Sequence, residues 1–297
     1  MHKRVRIIGA ASGLGAQDQA CADGPVAFHH SQAWQRIAHR AGLDWGQTLF
    51  APDSPANSPL QRIVALCADL ADALAEALHA GDFPLVIGGD HSVAIGTWSG
   101  VARQRGVRPG LLWIDAHLDS HTPATSYSGA VHGMPLACLL GQGDKRLLAI
   151  GLPGGQLDAA HCVVLGPRSY EPEELAFLQR QGVRVISGEE IAARGFLSCL
   201  DEALAIVTAA PGGFGVTLDL DVVDPRWAPG VGSPEPDGWA AVEVIAAIAQ
   251  LAQQPNLLAM EIVEYNPDRD RHADTARLLA ELIEQLVEAW HAAGEGA

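Results

Sequence analysis

Short apolar runs recur along the chain at Val5–Ile8, Leu85–Ile87, Leu111–Ile114, Leu147–Ile150, Val163–Leu165, Val183–Ile186, Phe214–Leu220 and Leu257–Val263. Most lack polar alternation, the pattern of strands covered on both faces. The segments between them are too long for hairpins, and many carry helical periodicity. From Pro59 to Ala80 the positions Ile63, Leu66, Leu70, Leu74 and Leu78 keep helical spacing, and Gly81 closes the segment. Further helices are predicted over Ser92–Arg105 with Ser92 as cap, Gly133–Leu140, Pro172–Gln181, Leu197–Ala209, Trp239–Gln253 and Thr275–Ala292. Residues 40–56, with Pro52 and Pro55, read as loop, as do 119–132 and 225–238. Strand and helix alternate throughout, which predicts an α/β fold: a three-layer α/β/α sandwich around a mostly parallel sheet of about eight strands. No linker or internal repeat interrupts it, so one domain over residues 1–297 is expected.

Three of the runs end in side chains that ligate metals. Val86-Ile87-Gly88-Gly89-Asp90-His91 delivers a histidine. Leu111–Ile114 leads into Asp115, His117 and Asp119, and Val216–Leu218 leads into Asp219 and Asp221. In extended chain, residues two apart point to one side, so each set is expected to converge at a strand's carboxyl end. Open parallel sheets place their sites there. Four carboxylates and two imidazoles, with no thiolate, suit Mn²⁺ or Mg²⁺ better than Zn²⁺. Four aspartates balance two divalent cations, whereas one cation leaves buried negative charge uncompensated. Two such ions roughly 3.5–4 Å apart share a hydroxide that is nucleophilic at neutral pH.

The totals narrow the partners. Lys plus Arg number 19 against 35 for Asp plus Glu, a formal charge of −16. That excess disfavours nucleic acid and anionic membrane and favours a cationic substrate. The five cysteines are scattered with no CxxC pair, which predicts buried free thiols. No leader-type start and no membrane-length apolar run are visible, so a cytoplasmic protein is expected. Gly9-Ala-Ala-Ser-Gly13-Leu-Gly15 after the first run is similar to the dinucleotide turn of NAD-dependent short-chain dehydrogenases. Those enzymes need a Tyr-x-x-x-Lys pair, and four residues after Tyr127, Tyr170 and Tyr265 stand Val131, Glu174 and Arg269.

Gly88-Gly89-Asp90-His91-Ser92, Asp115-Ala116-His117-Leu118-Asp119 and Asp219-Leu220-Asp221-Val222-Val223-Asp224-Pro225 resemble the three metal motifs of the arginase, agmatinase and formiminoglutamase (ureohydrolase) family, arginase most closely. The resemblance runs from the first strand to the last helix. It implies the arginase-deacetylase type of fold and a binuclear manganese hydrolase, with two Mn²⁺ per subunit. One ion would take His91, Asp115, Asp119 and Asp219, and the other Asp115, His117, Asp219 and Asp221. Asp115 and Asp219 would bridge, and Asp119 would hold the bridging hydroxide. His132 matches the family's proton-shuttling histidine, and Glu264 the glutamate that pairs with the substrate guanidinium. Relatives are usually trimers or hexamers, so a homo-oligomer is expected.

The loop 119–132 bears on the substrate. Its length resembles arginase, which implies cleavage of L-arginine to urea and L-ornithine. His121 stands where an Asn commonly touches the substrate carboxylate, and Ala130 where another does. Ser126 and Ser128 keep hydroxyls at contact positions, and Glu171 matches the acid facing the α-amino group. Arg168 is expected to pair with a neighbouring acid, and Asp90 and Asp224 to shape loops. The alternatives are agmatinase, guanidinobutyrase, another guanidino or formimino C–N hydrolase, and an inactive binding homologue.

Overall fold

A computed structural model describes residues 4–54 and 56–295; Pro55 lies outside the described residues. The strands are β1 (Val5–Ala11), β2 (Leu43–Phe50), β3 (Phe83–Gly88), β4 (Gly110–Ile114), β5 (Cys162–Leu165), β6 (Arg184–Ile186), β7 (Phe214–Asp219) and β8 (Leu257–Val263). They form one eight-stranded sheet in the order β2-β1-β3-β8-β7-β4-β5-β6. Every pairing is parallel. The helices are α1 (Gly24–His30), α2 (Gln32–Ile37), α3 (Pro59–His79), α4 (Ala94–Arg105), α5 (Pro135–Leu139), α6 (Lys145–Leu148), α7 (Pro172–Gln181), α8 (Gly188–Arg194), α9 (Phe196–Val207), α10 (Ala241–Ala252) and α11 (Asp274–Glu295).

Alternating strand residues feed two cores. Ile7, Leu85, Leu112, Ile114, Val216 and Leu218 pack with α2, α9, α10 and α11 on one face. Ile8, Val86, Leu111, Trp113 and Val164 pack with α3, α4, α5 and α7 on the other. Because both faces are covered, the strands are apolar at consecutive positions rather than at alternate ones. The parallel three-layer arrangement read from the sequence is therefore correct. No helix among the described residues is long and apolar enough to cross a membrane.

Several local expectations need correction. Residues 40–56 are not all loop: β2 occupies the sheet edge with only Leu43 buried. Its Asp44, Gly46 and Gln47 erase the apolar signal that a central strand shows. No part of the run Leu147–Ile150 is strand: Leu147 and Leu148 end α6, whose start Asp144 caps by accepting from Arg146 N at 2.9 Å, and Ala149 and Ile150 follow the helix. The cap before α4 is Asp90, which accepts from Ser92 N at 2.9 Å, and a 3-10 turn over His91–Val93 precedes the helix. Trp239 lies outside α10 and bridges to Val223. Helices α1, α2 and α8 went unread.

Candidate active site

Strands β3, β8, β7 and β4 stand side by side in the middle of the sheet. Their carboxyl ends, and the turns just beyond, supply His91, Glu264, the pair Asp219 and Asp221, and Asp115, respectively. Extended-chain alternation is not how Asp115, His117 and Asp119 converge. β4 ends at Ile114, and Asp115 Oδ1 accepts from His117 N at 2.7 Å, closing a tight turn. Asp119 follows with a left-handed backbone at φ 45°. Asp219 Oδ1 likewise accepts from Asp221 N at 2.9 Å and starts a 3-10 turn. The aspartates thus cap the turns that aim the next ligand, a device natural to short acceptor side chains.

All six expected metal ligands meet. His91 Nδ1 lies 3.3 Å from Asp115 Oδ2, 3.0 Å from Asp119 Oδ2 and 3.2 Å from Asp219 Oδ2. His117 Nδ1 lies 3.1 Å from Asp221 Oδ2 and 3.5 Å from Asp115 Oδ1. Ligand atoms of His91, Asp115 and Asp219 lie within 4.8 Å of one another, as do those of Asp115, His117 and Asp221. Asp115 belongs to both groups. Yet His91 Nδ1 is buried with no hydrogen-bond partner. A nitrogen turned toward three carboxylate oxygens at 3.0–3.3 Å is an arrangement that a cation between them would fit.

The charges agree. Burial, then the neighbouring aspartates, push Asp219 well above the usual carboxylate range. Burial carries Asp221 up to about 6 and raises Asp119. Burial opposes protonation of His91, but Asp115, Asp119 and Asp219 outweigh it and raise the imidazole. Asp115 is also buried, and His117 and His91 together pull it below its ordinary value. Crowded carboxylates that take up protons are carboxylates short of positive charge.

Residues that the sequence reading missed orient these ligands. Trp113 Nε1 donates to Asp115 Oδ2 at 2.8 Å, and its ring stacks on His91 with centroids 4.2 Å apart. His91 Nε2 meets Thr217 Oγ1 at 3.0 Å, and Thr217 donates to Glu261 Oε1 at 2.8 Å. Glu261, an acid inside an apolar strand, was the available signal. Asp90 shapes its loop as expected, accepting from Gly15 N at 2.9 Å. A Cβ at Gly13 would sit 2.2 Å from the Gln19 carbonyl. Within the same glycine turn, a Cβ at Gly15 would sit 2.5 Å from Asp90 Oδ1 and 2.8 Å from Ser92 Oγ.

A cavity of about 350 Å³ opens over this floor. His132 and Glu264 line it, with His132 Nδ1 3.2 Å from Glu264 Oε1. Burial opposes the charge on His132, but the bond to Glu264 prevails and lifts it to about 9. At the other end His121 Nε2 lies 3.1 Å from Glu171 Oε2 and 3.5 Å from Glu174 Oε2. Burial lifts Glu174 to about 7. Ser126 and Ser128 do not line the cavity: their hydroxyls accept from Gly129 N at 3.0 Å and Ala130 N at 3.1 Å. Among the described residues, no Lys or Arg lines it. Arg168 pairs with carbonyls and not with an acid, donating to those of Asp221, Val222, Glu235 and Pro236.

Comparison with known proteins gives the same answer. Residues 3–288 match the Arginase family. The chain is 35% identical to the arginase of Brevibacillus brevis across 96% of its own length and 98% of that protein's. It is 34% identical to the arginase of Bacillus caldovelox, with the same coverage. The crystal structure of arginase from Bacillus subtilis superposes with a TM-score of 0.87 at 32% identity, covering 96% of this chain and 98% of that one. The chain therefore belongs to the arginase family and is a metal-dependent ureohydrolase.

Proposed function

We propose that this protein hydrolyses the guanidino group of L-arginine to urea and L-ornithine, using two Mn²⁺ ions per subunit. One observation carries the reading: the bonded pair His132 and Glu264 lines one cavity with His117, Asp119, Asp219 and Asp221, and among the described residues no Lys or Arg lines it. The names of the relatives point to arginine. His91, Asp115, Asp119 and Asp219 would hold one ion, and Asp115, His117, Asp219 and Asp221 the other. Bound there, the ions supply a water acidic enough to attack at neutral pH. Asp119 would accept a hydrogen bond from the attacking water and orient it. Glu264 pairs with the planar guanidinium, which its carboxylate matches in charge and shape. The bond to Glu264 occupies His132 Nδ1, so Nε2 is the atom that protonates the leaving amine as the C–N bond breaks.

A guanidino amine such as agmatine is the second reading. His121 is already tied to Glu171 and Glu174, and among the described residues no lining Lys or Arg is there to hold a carboxylate. A trimer or hexamer and a cytoplasmic location complete the proposal and rest on the resemblance to the family. Urea release from a panel of guanidino compounds, with and without added Mn²⁺, tests the reading. Release from arginine in preference to agmatine supports the first assignment, and the reverse order selects the second. No release from any member of the panel overturns both.

A further inference from the structure

The carboxylate of Glu264 is held on several sides. Its Oε1 accepts from the His91 backbone N–H at 2.9 Å and from His132 at 3.2 Å. Its Oε2 lies 3.2 Å from Sγ of Cys21, a fully buried residue in the turn Gln19–Asp23. Burial, then the charge of Glu264, push the Cys21 thiol far above its usual range. The sulfur therefore keeps its hydrogen and acts as a donor. On another flank, a Cβ added to Gly232 would stand 2.2 Å from Oε2 and 3.2 Å from the sulfur. Gly232 N also donates to the Glu264 carbonyl at 3.2 Å. Glu264 itself has a left-handed backbone at φ 66°, a conformation that surrounding contacts must enforce.

Oε2 thus occupies a slot between an S–H donor and bare backbone, and neither Cys21 nor Gly232 lines the cavity. We propose that Cys21 and Gly232 are positioning residues for guanidinium recognition. The thiol turns Oε2 into the plane in which the carboxylate meets the planar cation, and the missing Cβ leaves room for that orientation. The inference rests on the guanidino-hydrolase reading above. It assigns work to a cysteine that burial keeps from serving as nucleophile or ligand.

The test uses full-length protein loaded with Mn²⁺ and compares Cys21→Ala, Cys21→Ser and Gly232→Ala. Urea release from arginine, metal content and Tm are measured for each. Cys21→Ala should raise KM about tenfold, the scale of a lost hydrogen bond to a charged group. Its kcat and metal content should stay within about threefold and unchanged, respectively, and Cys21→Ser should recover most of the KM. Gly232→Ala should raise KM further, because its methyl takes the space of Oε2. A Cys21→Ala enzyme with wild-type KM overturns the proposal, as does a Cys21→Ser enzyme no better than the alanine variant. A wild type that releases no urea from any guanidino compound overturns the functional reading and this inference with it. The wild-type arm therefore separates the two failures.

Discussion

The floor and the mouth of the cavity are built on different terms. The floor is strand ends: His91, Asp115, Asp219 and Asp221 are almost wholly buried and are braced by Trp113, Thr217 and Glu261. The mouth is loop. Much of the bonding in 121–130 stays inside the loop, as between Thr122 and Thr125, and Tyr127 is 78% exposed. Moving a floor residue disturbs the sheet, whereas altering a mouth residue disturbs little besides what the mouth touches. The chemistry is accordingly tied to the fold, and the choice of substrate tail is open to variation.

Substitutions break this comparison in a graded way. Asp219→Ala at the floor should have the largest effect, removing bound metal and lowering activity more than ~100-fold. Partners that merely orient a ligand already cost 10–100-fold. Metal analysis beside urea release checks it, and full metal occupancy in this variant is inconsistent with the ligand assignment. His132→Ala, between floor and mouth, should lower kcat by roughly 10²–10⁴-fold with metal content intact.

The pH dependence follows from the same histidine. Its value in the folded protein, about 9, exceeds the ordinary 6.5. The stabilising charge is therefore complete below about 6.5 and is lost as pH rises through about 9. The rate should fall along that limb, and the His132→Ala profile should lack it. Glu171→Gln at the half-exposed mouth should raise KM roughly two- to fivefold without changing kcat, as expected for a solvated charge contact. Ser126→Ala should stay within about twofold of wild type, because its hydroxyl serves the backbone of its own loop. A Ser126 effect equal to that of His132 would erase the distinction between floor and mouth.

The same contrast decides what could be read in advance. Ionisable residues that terminate buried apolar runs are conspicuous, so His91, Asp115 and Asp219 were legible from their settings alone. Their meeting was foreseen, but the means was not. Turns capped by Asp115 and Asp219 replace simple strand alternation, and a capping bond has no periodicity. The pairing of Thr217 with Glu261 depends on the β7–β8 register, where the two are directly opposite. No local pattern encodes that neighbour. Strand β2 escaped for a related reason: an edge strand needs only one partner and can carry polar residues that hide it.

Asp115 stands at the crossing of two His–carboxylate groups, one with His91 and Asp219 and the other with His117 and Asp221. The site is therefore unequal in what descendants of this chain can discard. A lineage that mutates Asp221 abandons one cluster and keeps the other whole. No such half-measure exists at position 115, where a single replacement dismantles both clusters together. Evolutionary drift toward simpler chemistry has an exit on one side of this aspartate and none through it.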